Sequence, residues 1–168
     1  MGGSAFSSAP DPPYTPRMRP KVYQHVLSHC QAALRELFVC VATPIEGPGK
    51  NDHGDIDILV ALERRVVFPV TEHDSVPRTP HELLAVVQRS LSAKRAIVRG
   101  SSANLAIPWP SDMDEHVRAS GEASASGESR VKYIQVDITI CPDMEQLCWV
   151  SVLRPSGRGR PRIRNKQH

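Results

Sequence analysis

The sequence has no C-x-x-C pair, few aromatic residues and no long apolar run, and each absence removes a class of protein. Without that spacing, Cys30, Cys40, Cys141 and Cys148 read as reduced, small apolar residues rather than a redox or zinc framework. No apolar run approaches the ~20 residues that span a bilayer. The opening "MGGSAFSSAPDPPYTP" lacks a charged stretch followed by an apolar core, so it is not a secretory signal. Phe6 stands where a myristoylated chain carries Ser or Thr. These absences lead to the expectation of an intracellular protein, cytoplasmic or nuclear, with no membrane contact.

What the chain does have is proline, 15 in 168 residues, together with a displaced charge. The proline content points to irregular segments at the ends and between elements. Residues 154 to 168 hold Arg154, Arg158, Arg160, Arg162, Arg164 and Lys166 and no acid, whereas the rest of the chain is mildly acidic. The net charge of +3 therefore belongs to the tail and says little about what the body binds.

Periodicity divides the chain. Residues 1 to 18 are rich in Pro, Ser and Gly and are expected to be a disordered tail. Val22, Val26, Cys30, Ala33, Leu34 and Leu37 recur at helical spacing, predicting a helix over 20 to 36. "LFVCVAT" (37 to 43) reads as a strand ended by Pro44, and "DIDILVAL" (55 to 62) as a second. Thr79-Pro80-His81-Glu82 is a helix start with a capping residue, Pro at the first position and Glu two residues beyond it. "RAIV" and "NLAIPW" predict two short strands around Gly100-Ser101-Ser102. The polar stretch 111 to 129 is expected to be a mobile insertion, and Trp109 and Trp149 read as packing residues. A strand then alternates through "RVKYIQVDITIC", and a last helix, "MEQLCWVSVL", stops before Pro155. The order predicts an α/β or α+β domain over 19 to 153, with one mixed sheet, flanking helices and disordered termini.

Within these strands three aspartates break the apolar pattern. Side chains i and i+2 share a strand face, so Asp55 and Asp57 stand about 7 Å apart on one side of "DIDILVAL". Ile56, Ile58 and Val60 take the other side. Asp137 lies inside "QVDITI" in the same way, on the face of Gln135 and Thr139. Were the two strands neighbours, the three carboxylates would converge, and hard divalent cations with oxygen ligands, such as Mg²⁺, hold such groups together.

"HGDIDILV", followed 80 residues past Asp57 by "QVDITI", resembles the nucleotidyltransferase superfamily with the polymerase-beta-like fold. The resemblance implies an enzyme that moves a nucleoside monophosphate from a nucleoside triphosphate to an acceptor, nucleic acid among the candidates. It implies Mg²⁺ or Mn²⁺ on Asp55, Asp57 and Asp137. Asp55 and Asp57 would share the metal with the nucleotide's phosphates, and Asp137 would also help deprotonate the attacking hydroxyl.

One departure from the pattern keeps a second reading open. Such enzymes carry a Gly-Ser or Gly-Gly pair ahead of the carboxylates, whereas "ATPIEGPGK" offers Gly47 and Gly49 with no serine, and Gly100-Ser101 comes after the strand. Gly49 and Lys50 are the candidates for holding phosphate, although Pro44 and Asn51 exclude a P-loop. The alternative is a degenerate or truncated member of the fold that binds or regulates. A further one is a DNA-associated protein: Arg158-Gly159-Arg160-Pro161, with Arg162, resembles the AT-hook, an arm for narrow minor grooves.

Overall fold

A computed structural model describes residues 3–45, 50–72, 76–116 and 131–153. The elements run α1 (Pro20–Arg35), β1 (Phe38–Ala42), β2 (Ile56–Glu63), α2 (Arg64–Val67), α3 (Pro80–Ser90), β3 (Arg95–Arg99), β4 (Ser102–Pro108), a 3₁₀ helix (Ser111–His116), β5 (Tyr133–Ile140) and α4 (Met144–Leu153). The fold is α+β: a five-stranded mixed sheet in the order β1-β2-β5-β4-β3 with four flanking helices. Strands β2 and β5 are parallel neighbours, and the other pairings are antiparallel.

One sheet face is covered by helices. On α1 the buried residues Val22, Val26, Cys30 and Leu34 fall every fourth position, the stripe a helix needs to lie flat on a sheet. They pack with Leu83, Leu84 and Val87 of α3 over Ile56, Ile58 and Val60 of β2. Ile134, Val136 and Ile138 of β5 and Leu105 and Ile107 of β4 complete this core. Burial pushes the Cys30 thiol up to about 12, so it packs as a small apolar residue. Helix α3 begins with the expected capping box. The Thr79 hydroxyl accepts from the Glu82 backbone N–H, and the Glu82 carboxylate accepts from the Thr79 N–H.

Among the described residues, the opposite face is met at its two ends. At one end Leu147 of α4 packs with Leu59, Ala61 and Cys141. Helix α4 is apolar nearly all round, so it cannot bury everything it carries: Trp149 is 59% exposed and Cys148 is exposed. Of the two tryptophans expected to pack, only Trp109 is buried.

The other end is met by the N-terminal segment, and here the composition misled. Over residues 3–18 the expected disordered tail is instead laid against the body. Phe6 and Met18 are buried, and Met18 and His53 exchange backbone hydrogen bonds of 2.8 and 2.9 Å. The Tyr133 N–H donates to the Tyr14 carbonyl, and Arg95 holds the Asp11 carboxylate and carbonyl. A segment without periodicity is held because its backbone donors and acceptors find partners along the sheet.

The expected mobile insertion is likewise structured over its first residues. Ser111–His116 form the 3₁₀ helix, Met113 packs on the core, and the Trp109 indole N–H donates to the Met113 carbonyl at 3.3 Å. Residues 117–129 lie outside the described residues, as do Gly49 and the basic tail with Arg158, Arg160 and Arg162. No helix among the described residues is long and apolar enough to cross a membrane.

Candidate active site

Strand β2 begins where the loop from β1 ends, and His53 anchors that start. Its ring is buried and stacks on Tyr23 of α1 with centroids 3.8 Å apart, and its backbone is tied to Met18. This clamp determines which residue enters the sheet first. Gly54 and Asp55 precede the strand, Ile56 turns into the core, and Asp57 turns away from it.

The register then sets two of the three predicted carboxylates side by side. Asp57 of β2 stands opposite Asp137 of β5, and residues so paired on adjacent strands point to the same face. Neighbouring strands lie about 4.8 Å apart, so two like charges sit side by side. Each is part-buried. Asp55 comes one residue before β2, two ahead of Asp57, and is also part-buried. Lys50 is exposed in the loop leading to it.

A third polar residue completes the row. Asn104 of β4 is the register partner of Asp137 on the side away from Asp57. Asp57, Asp137 and Asn104 thus cross three strands in a line, on the face opposite α1 and α3. Next along the same face, the Ser102 and Thr139 hydroxyls lie 3.2 Å apart. Toward the strand starts, Gln135 is 2% exposed, and its side-chain N–H donates to Asp137 Oδ1 at 2.8 Å. Neither Asn104 nor Gln135 was singled out from the sequence. The available signal was that both are amides inside otherwise apolar strands.

The donor set is all oxygen and suits a hard cation. Among the described residues no group of three His, Cys, Asp or Glu side chains is close enough to hold a metal ion by itself. Mg²⁺ is usually held by only one or two carboxylates, with substrate phosphates and water completing an octahedron, and a register-matched pair meets that need.

A separate cleft of about 760 Å³ runs between α3 and the segment before it, lined by Arg65, Glu72, Arg78, Glu82 and Arg89 among others. Its arginines serve the fold: Arg65 and Arg78 both pair with Glu63, whose side chain is 7% exposed. It shares no lining residue with the carboxylate row. Comparison with protein-family models and with curated proteins gives no match.

Proposed function

We propose that the chain is a Mg²⁺-dependent nucleotidyltransferase, moving a nucleoside monophosphate from a nucleoside triphosphate to an acceptor hydroxyl. The observation that supports this reading is the register pairing of Asp57 with Asp137 on adjacent parallel strands. Two carboxylates side by side repel, and a divalent cation held between them removes that repulsion. Asp57 and Asp137 would hold the metal, with Asp55 at the strand entrance reaching the same phosphates. Bound Mg²⁺ supplies neutralisation of phosphate charge at the transferring phosphorus.

The residues of the chain divide the remaining work. By the same resemblance Asp137, which stands in the row between Asp57 and Asn104, would take the proton of the acceptor hydroxyl as pyrophosphate leaves. Asn104, neutral and able both to donate and to accept, orients the acceptor or sugar without adding charge. Lys50, exposed in the loop before β2, would neutralise outer phosphate oxygens as a point charge.

The test is turnover of α-phosphate-labelled nucleoside triphosphates with Mg²⁺ or Mn²⁺, offering single-stranded RNA and DNA as acceptors. Label transfer with pyrophosphate release, lost in Asp57→Asn and in Asp137→Asn, is the expected result. Metal- and nucleotide-dependent stabilisation without any transfer would favour a binding or regulatory protein on the same fold. Salt-sensitive DNA binding that disappears with residues 154 to 168, and no response to nucleotide, would favour action through the basic tail.

A further inference from the structure

The N-terminal segment reaches the site through one buried amide. The Gly3 N–H donates to the Gly54 carbonyl at 2.7 Å, at the entrance to β2. Two residues on, the Ala5 N–H donates to Gln135 Oε1 at 3.1 Å, and Gln135 Nε2 donates to Asp137 Oδ1 at 2.8 Å. Phe6, 4% exposed, and a hydrogen bond from the Thr15 hydroxyl to the Gly3 carbonyl hold the segment down.

A side-chain amide can face either way round, and its two ends are chemically opposite. Here the Ala5 N–H selects the orientation. It requires the oxygen of Gln135 on its own side, which turns the N–H₂ toward Asp137. Gly3 makes the approach feasible, since a Cβ there would lie 2.3 Å from Gln135 Cδ and Oε1. The contact therefore demands glycine for space rather than for backbone conformation.

We propose that residues 3–6 are a working part of the site, and that Gln135 is a positioning residue which, oriented by Ala5, restrains the Asp137 carboxylate for cation binding. The inference rests on the reading of Asp57 and Asp137 as a metal-holding pair. An outer partner that orients a ligand carboxylate commonly accounts for about 10–100-fold in metal affinity. The segment is thus a strap whose displacement by even one side chain loosens the site from a distance.

The experiment uses Mn²⁺ alone as the probe, titrated into the full chain and read by the paramagnetic resonance of the free ion. The proteins compared are the wild type, Asp57→Asn, Gly3→Val and Gln135→Met. Gln135→Met keeps volume and burial while removing both hydrogen bonds. Gly3→Val leaves the amide intact and displaces it, so one variant remains informative should the other fold poorly. Thermal unfolding without metal confirms the fold of each. Expected are wild-type binding lost in Asp57→Asn and about tenfold or more weakened in Gly3→Val and Gln135→Met. Faster hydrogen exchange at the Ala5 amide in Gln135→Met is expected alongside. Wild-type affinity in both strap variants, with Asp57→Asn still silent, would overturn the positioning role and leave the metal site standing. No Mn²⁺ binding by the wild type would remove the metal reading and the positioning role together. Unchanged Ala5 exchange would show that the strap contact does not exist in solution.

Discussion

The two faces of the sheet are written in the same strands and obey different rules. On one face Ile56, Ile58 and Val60 alternate into a continuous apolar layer with Ile134, Val136 and Ile138, closed by α1 and α3. On the other, Asp57 and Asp137 interrupt what would be a second apolar layer, and among the described residues α4 packs at one end and the N-terminal segment at the other. The first face stabilises the fold. The second carries a polar row across β2, β5 and β4. Period-two alternation lets one strand pair carry an apolar layer on one face and a polar row on the other.

That division is most sharply tested by removing matter from the core side. Ile138 is fully buried, and Ile138→Ala is expected to cost about 2–5 kcal/mol through lost transfer energy and the cavity left behind. Urea unfolding monitored by circular dichroism checks it. A cost near zero would mean that the two faces are not the separate layers described.

A smaller effect lies at the rim of the core, where α3 starts. Thr79→Ala removes the hydroxyl that caps the helix and is expected to cost about 1 kcal/mol in the same assay. The Thr79 hydroxyl and N–H hold the Glu82 carboxyl below its ordinary value. With the folded pKa depressed, this contribution is present above the unfolded carboxylate range and is lost as pH falls through the folded pKa. Acid unfolding of Thr79→Ala should therefore lack that part of the wild-type pH dependence.

The smallest effect on stability is expected at the site itself. Without metal, Asp57→Asn removes one of two facing charges at nearly constant volume, and stability should stay within about 1 kcal/mol of wild type. A structural aspartate would behave otherwise, since its loss leaves buried donors unpaired.

The asymmetry between the faces also explains what could be read from the sequence. The α1 stripe, the Thr79 cap and the alternation of β2 and β5 are local patterns, and each appeared where it was expected, within a residue or two. The placing of Leu59 and Ala61 on the face away from Ile56, Ile58 and Val60 followed from the same alternation. The pairing of Asp57 with Asp137 is a matter of register between strands 80 residues apart, and no local period encodes it. Asn104 escaped notice because β4 begins at Ser102, which places this residue inside the strand rather than at its first position. Residues 3–18 escaped because composition registers proline and serine, not the backbone hydrogen bonds that Gly54, His53 and Tyr133 offer them. Near the end of β2, Leu62 has a φ of 60°, and Glu63 beside it, ahead of the short α2, pairs with Arg65 and Arg78. That ion-pair cluster spans residues a linear reading does not connect.

The proposed function depends on a divalent cation held between Asp57 and Asp137. Its most direct test is thermal unfolding of the wild type and Asp57→Asn, each with and without Mg²⁺. At about a hundred times the dissociation constant, binding to the native state alone stabilises by about 2.7 kcal/mol, a rise of several degrees in Tm. The account predicts that rise in the wild type and none in Asp57→Asn, with the two metal-free curves nearly superimposed. A wild-type Tm indifferent to Mg²⁺, together with a metal-free Asp57→Asn that unfolds well below it, would contradict the account and make the aspartate row structural.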